Sequence, residues 1–268
     1  MKPKKRSKLR IRVGSYYFKL RRYMKWYFGN TKFANRVIGK ELPYTSATHS
    51  TPLLRKLKDV DMWLQYNKIK NLEIAIQQLH RITIYPGETF SYWKLIGNPS
   101  KRKGYVEGMV LYYGTFRPGI GGGLCQLSNL IYWITLHTPL IVTERHRHSY
   151  DVFPDANRTQ PFGSGATCSY NYLDLQIFNP TDQPYQLLVH MDAEYLYGEW
   201  RTTGQPAHYY EVYEREHIIS QEYWGGYVRS NSIYRKKFNL EGELLEDEFI
   251  TKNTALMMYQ PLLESKAT

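Results

Sequence analysis

The spacing of apolar and polar positions changes character along the chain. From residue 13 to 28 it is helical: Val13, Tyr17, Leu20, Met24 and Tyr27 fall on one stripe, while Lys19, Arg21, Arg22 and Lys25 fill the other side. Residues 53–80 repeat the rhythm with Ile69, Leu72, Ile76 and Leu79, which predicts a second helix ending before the turn at Pro86-Gly87. A Gly- and Tyr-rich stretch from Gly97 to Gly123 shows no period and reads as irregular. A third helix is expected over residues 124–137, stopped by Pro139. Beyond it the period falls to two. Over residues 140–153, Leu140, Val142, Glu144, His146, His148, Tyr150 and Val152 share one face, with Arg145, Arg147 and Ser149 on the other, as in a strand.

Further strands are predicted at 174–179, 185–191, 195–202, 209–216, 232–239 and 243–250, separated by turn signals at Asn179-Pro180, Thr203-Gly204 and Glu241-Gly242. Helices followed by a meander of strands predict an α+β fold: N-terminal helices, then a mainly antiparallel β-sheet, with a Gly-rich loop leading into a cysteine-bearing helix. The expected organisation is a basic, aromatic arm over residues 1–45, a core domain over 46–200 and a β extension over 201–268 packed on that core.

Composition narrows the function classes. With 268 residues, 42% of them apolar, the chain can bury a real core, and two cysteines exclude a disulfide scaffold or a four-cysteine zinc site. The net charge of +12 suggests nucleic acid until its location is considered. Residues 1–40 hold 14 Lys or Arg and no acid, which leaves 22 basic against 24 acidic residues elsewhere. The body is not basic, so no nucleic-acid partner is expected. In the arm the cations interleave with Tyr16, Tyr17, Phe18, Tyr23, Trp26 and Tyr27, the pattern of a helix lying in an anionic membrane surface. The alternative is a first helix packed on the domain with its charges solvated. No apolar run approaches the roughly 18 residues of a spanning helix, and the basic start leads into no apolar run of an export signal. The expected location is therefore cytoplasmic, peripheral at the inner membrane leaflet.

The most informative stretch is Gly119-Ile120-Gly121-Gly122-Gly123-Leu124-Cys125-Gln126-Leu127-Ser128-Asn129. Four glycines in five positions imply positive φ angles or a close approach by another chain or a ligand. Cys125 then opens a helix, where the dipole and free N–H groups would depress its pKa and could form an oxyanion hole, with Gln126 as a further donor. His146 and His148 would supply a base from the next strand. Asp151 would lie on the opposite face, leaving Asp155, Asp174 or Asn171 as orienting partners. Three other readings compete: Cys125 as core packing, a zinc site formed with His146 and His148, and a Cys125–Cys168 disulfide in an oxidising compartment. No cofactor is expected, and Cys168 itself reads as packing.

Pro86-Gly87-Glu88-Thr89-Phe90-Ser91, the stretch from Gly119 to Ser128 with Tyr132, then Glu144-Arg145, His148-Ser149, and Asp174-Leu175 with Asn179 resemble the VanW family in order and spacing. The resemblance covers roughly residues 80–180 and is to the family's short members. It implies a cell-envelope protein associated with antibiotic resistance. In some anchored members it implies L,D-transpeptidase chemistry, with the stem peptide of peptidoglycan or a lipid-linked precursor as partner. Carried to this chain, it implies Cys125 as nucleophile and His148 as base. Gly121, Gly122, Gly123, Gln126, Ser128 and Arg145 become the expected substrate-binding and oxyanion residues. One departure is visible: Gly165 stands in Gly163-Ser164-Gly165-Ala166 where the family often has an acid.

Overall fold

The computed structural model describes residues 7–54, 61–154 and 160–261. The chain opens with α1 (Lys8–Phe28), started by Ser7, whose hydroxyl accepts from the Arg10 N–H. Next come β1 (Arg36–Val37), β2 (Tyr44–Pro52), α2 (Met62–Leu79), β3 (Ile82–Ile84), β4 (Thr89–Ser91) and α3 (Tyr92–Ile96). They are followed by β5 (Glu107–Tyr112), β6 (Thr115–Ile120), α4 (Cys125–Thr135), β7 (Ile141–Glu144), β8 (Tyr150–Asp151) and β9 (Gln176–Phe178). The chain ends in long strands: β10 (Tyr185–Met191), β11 (Tyr195–Thr202), β12 (Tyr209–Gln221), β13 (Tyr227–Phe238) and β14 (Leu244–Met257).

This is an α+β fold with mainly antiparallel sheets, as the sequence predicts. The central sheet has the order β1-β3-β10-β11-β2, and α2 and α4 lie against it, α2 on β10 and α4 on β11 and β2. Leu72, Ala75 and Leu79 of α2, Leu127, Ile131 and Ile134 of α4, and Leu187, Val189 and Trp200 of the sheet form one buried core. A second sheet, β12-β13-β14-β8, is antiparallel except for the short parallel pairing of β8 with β14. The three-stranded sheet β4-β9-β7 and the hairpin β5-β6 complete the fold, with β7 touching α4 and β5 lying on α2. Arg235 of β13 donates to the carbonyl of Thr138 at 2.8 Å, joining the second sheet to the turn after α4.

Strands β10 and β11 match their predicted bounds, and α4 begins one residue after the predicted start. Three expectations are corrected. The expected irregular stretch contains the hairpin β5-β6, whose turn residues Tyr113 and Gly114 have φ of 47° and 82°. Two positive φ values fit the twist of a tight hairpin, but only the glycine advertises them in sequence. The helix expected over 53–80 begins at Met62, with Leu53 and Leu54 outside it and residues 55–60 outside the described residues. Its buried stripe carries the polar Lys68 and Asn71 beside Leu64, Leu72, Ala75 and Leu79, while Ile69 and Ile76 are only half-buried.

The third correction bears on the site. The single strand expected over 140–153 is broken: β7 ends at Glu144, residues 145–149 are irregular, and β8 resumes at Tyr150. The cause is Arg145. Its guanidinium donates to the carbonyls of Gly163 and Gly165 and to Asn253 Oδ1, and it stacks 4.9 Å from the Tyr132 ring. Buried guanidinium bonds of this kind outweigh the ladder bonds that a continued strand would make.

Candidate functional site

The glycine loop is closed on the protein itself. Gly121 and Gly123 have φ of +73° and +93°, and a Cβ on Gly122 would sit 2.1 Å from the Gly108 carbonyl carbon. Asn71, fully buried on α2, locks the loop by donating to the carbonyls of Gly122 (2.9 Å) and Val106 (3.1 Å) and accepting from the Val106 N–H (2.9 Å). The glycines expected to approach a ligand thus approach β5 and α2. The sequence signal for this was a polar residue on a core stripe, which only a buried partner explains.

The other expected binding residues are also engaged within the chain. Gln126 Nε2 donates to Thr51 Oγ1 at 2.9 Å and to the Pro52 carbonyl at 2.8 Å, tying α4 to the end of β2. Ser128, fully buried, donates to the Ala166 carbonyl at 2.7 Å and to the Cys125 carbonyl at 3.2 Å. The Gly165 Cβ position is filled by Asn129 Oδ1 at 2.6 Å, so the acid expected there has no room. Asn129 Oδ1 in turn accepts from the Ala166 N–H at 2.8 Å.

Cys125 is the first residue of α4, as predicted, and is half-buried. Its thiol donates to the Cys168 carbonyl at 3.8 Å, and both cysteines are free. Burial pushes the Cys125 thiol above its ordinary pKa, the reverse of the depression expected from the helix dipole. Removal of solvent from the charged form outweighs the N-terminal field.

The two histidines part company. His148 sits by the hairpin tip, sharing a small cavity with Leu111, Tyr113 and Val152, and burial beside Arg147 lowers its pKa to about 4. His146 lies next to the cysteine's own contact: its carbonyl accepts from the Thr167 N–H at 2.8 Å, one residue before the carbonyl that Cys125 touches. Its Nε2 bonds Glu144 Oε1 at 3.1 Å. Burial would raise the Glu144 pKa, but the bonds from His146 and Arg22 outweigh it and hold the carboxyl at about 2. With the carboxylate ionised, Nε2 is the donor in this bond, which leaves Nδ1 as the ring nitrogen not engaged by Glu144.

Glu144 is thus the carboxylate bonded to a candidate base, a position for which sequence reasoning offered Asp155, Asp174 or Asn171. Asp174, fully buried, instead accepts from Ser91 Oγ (2.5 Å), the Trp93 N–H (2.9 Å) and Gln176 Nε2 (3.1 Å), fastening the start of α3. Asp155 lies outside the described residues. Asn171 is fully buried, and neither side-chain atom has a hydrogen-bond partner among the described residues. Its carbonyl accepts from Arg22 Nε at 2.9 Å, and Arg22 also clamps Glu144 with both terminal nitrogens. Among the described residues no three His, Cys, Asp or Glu side chains gather as metal ligands, so the zinc reading has no group to rest on.

A separate cleft of about 470 Å³ opens at the hairpin base, with Trp63, Lys70, Lys101, Tyr105 and Ile120 in its walls. Tyr105 is buried and its hydroxyl has no partner among the described residues; burial pushes its pKa up to about 12, so it is a neutral O–H donor.

Comparison with known proteins gives a consistent picture. A family model described as "VanW like protein" matches residues 67–201. The chain is 33% identical over 239 residues, 89% of its length and 86% of the relative's, to the vancomycin B-type resistance protein VanW of Enterococcus faecalis (strain ATCC 700802 / V583). It is 27% identical over 114 residues, 42% of its length and 36% of the relative's, to the uncharacterized protein YoaR of Bacillus subtilis (strain 168). No solved structure matches.

Proposed function

The chain belongs to the VanW family, and on that premise we propose a vancomycin-resistance-associated protein of the cell envelope that performs thiol-dependent acyl transfer on the peptide stem of peptidoglycan or its precursor. The observation that carries this reading is the arrangement around residues 167–168. Cys125 bonds the carbonyl of Cys168, the backbone carbonyl of His146 accepts from the Thr167 N–H, and the imidazole of that same His146 is bonded by ionised Glu144. Cysteine, imidazole and carboxylate are the parts of a nucleophile, its base and the base's orienter. His146 takes the role that the family resemblance gave to His148, whose depressed pKa and position by the hairpin tip suit packing.

The chemistry follows from the protonation states. At rest the thiol is protonated, because burial disfavours the thiolate. As a peptide carbonyl approaches, the Cys125 proton passes to His146 Nδ1 and the sulfur bonds the carbonyl carbon. The C–N bond then breaks, and the leaving amine takes the proton from the imidazolium. The resulting thioester is attacked by a second amine, which forms a cross-link, or by water, which completes hydrolysis. In either case the attacking group's proton passes through His146 and the sulfur leaves as the thiol.

Incubating the purified protein with a synthetic stem pentapeptide and measuring intact mass tests this reading. The expected result is a covalent adduct on Cys125, absent in Cys125→Ala, formed about 100-fold more slowly in His146→Ala, and little changed in His148→Ala. No adduct with any stem peptide, or an adduct governed by His148, overturns it.

A second reading, a non-catalytic module that binds a cell-wall precursor, is favoured by the cleft beside the hairpin, where the unpartnered Tyr105 hydroxyl stands near Lys70 and Lys101. In the same samples it requires stem-peptide binding that Tyr105→Phe weakens and Cys125→Ala leaves intact.

A further inference from the structure

We propose that α1 lies along the surface of an anionic lipid bilayer, its apolar stripe in the interface and its opposite face docked on the protein. This does not rest on the catalytic reading, and its failure would leave that reading untouched.

The first observation is which side of α1 the protein holds. Arg22 and Trp26, four residues apart, are the two positions of the helix that are buried among its described side chains. Arg22 enters the Glu144 carboxylate and the Asn171 carbonyl, and Lys94 donates to the Trp26 carbonyl at 3.3 Å. Tyr23 and Lys25 add contacts to Tyr170 and Gln176 at 2.8 and 3.0 Å. All of these lie in the last two turns.

The second observation is what the protein leaves uncovered. Val13, Tyr17, Leu20, Met24 and Tyr27, the stripe that a packed amphipathic helix would bury, are each between 51% and 67% exposed. Nine residues separate Val13 from Arg22, a rotation of about 900° at 3.6 residues per turn, so the stripe from Val13 to Met24 faces away from the docked side, while Tyr27 at its end has Lys94 Nζ 4.3 Å from its ring centroid. The helix does dock on the domain, though not with all its charges solvated, since Arg22 is buried against Glu144. The helix is attached by a charged residue and an indole, and it presents its apolar side outward.

The third observation selects the occupant. Arg10, Arg12 and Arg21 are exposed and flank the stripe, and residues 1–40 carry 14 basic and no acidic residues. A second copy would bring the same charge against itself, and a nucleic acid would leave the apolar stripe in water. A bilayer with acidic headgroups meets both the stripe and its flanks: aromatic and aliphatic side chains enter the headgroup boundary while cations stay level with the phosphates. The helix is about 30 Å long, enough to lie in the surface, and no helix among the described residues is long and apolar enough to cross a membrane.

Flotation of the full chain with large unilamellar vesicles tests this, comparing equal parts phosphatidylglycerol and phosphatidylcholine with phosphatidylcholine alone. The wild-type chain is expected to float with the anionic vesicles and to bind neutral ones at least about tenfold more weakly. Leu20→Asp with Met24→Asp, and separately Arg10→Glu with Arg21→Glu, are expected to weaken anionic binding at least about tenfold, with circular dichroism and Tm unchanged. Equal flotation of wild type and the apolar-face variant overturns the proposal, as does wild-type protein that stays unbound to both vesicles. A dimer in light scattering, or an RNA gel shift, that the same apolar-face variant abolishes while vesicle binding persists would assign the face to a second copy or to nucleic acid instead.

Discussion

Two regions meet at α1 and depart from the usual rule of apolar inside and charged outside in opposite directions. Around Arg22 and Glu144 charge is buried or half-buried, and each of these groups, with the half-buried His146 ring, finds a partner within the chain. On the far side of the same helix, Val13, Leu20 and Met24 are apolar and find none. A buried charge that is fully paired marks architecture that holds a geometry, whereas an apolar surface that the fold leaves open points to a partner outside the chain. The family match at residues 67–201 includes Glu144 and His146 but not α1, so Arg22, the partner of Glu144, lies outside it together with the outward face.

The most severe way to break this comparison is to unpair the buried carboxylate. Glu144→Gln leaves the Arg22 guanidinium buried without its counter-charge and replaces with a donor one of the two acceptor oxygens that Arg22 and His146 share, and should cost about 3 to 5 kcal/mol in urea unfolding. Arg22→Met combined with Glu144→Gln should recover part of that loss, because removing both charges removes the desolvation cost as well. If the single change costs under about 1 kcal/mol, Glu144 is not holding the segment that carries His146.

Much of this framework is legible in sequence, though not its roles. Period-two spacing put Glu144 and His146 on one face, and they do meet. His148 follows the same alternation, but Arg145 pulls the chain out of strand geometry two residues earlier, and no local pattern announces a bond to Gly163 and Gly165, some twenty residues away. Cys125 at a helix start was readable from the glycines. The sign of its pKa shift was not, because it depends on burial, which is a tertiary property. Lys68 and Asn71 share the buried stripe of α2 with leucines, and the spacing alone does not name the glycine loop that lies against them. The stripe on α1 was the clearest helical signal in the chain, yet nothing in the spacing could say which side the protein would hold.

Acidification sharpens the comparison by a smaller effect. The Glu144 carboxyl is lowered from 4.5 to about 2 and the His148 ring from 6.5 to about 4. In each interval the unfolded chain binds a proton that the folded chain does not, so stability present at neutral pH falls as the pH falls. Urea midpoints measured against pH should therefore show two regions of loss, about 6.5 to 4 and about 4.5 to 2. His148→Asn should flatten the upper region and Glu144→Gln the lower. A lower region unchanged in Glu144→Gln would mean that another carboxylate carries the acid sensitivity.

The smallest expected effect lies on the other side of the comparison. Leu20→Gln replaces an apolar side chain that is 59% exposed with a polar one of similar helix propensity, in a turn with no contact to the body. Without lipid its unfolding free energy should stay within about 0.5 kcal/mol of wild type, because little apolar area is returned to water. A loss above about 1 kcal/mol would mean that Leu20 is covered by part of this chain in solution. In that case the stripe would belong to the fold, the two regions would obey one rule, and the reason for assigning the outer face of α1 to a bilayer would be gone.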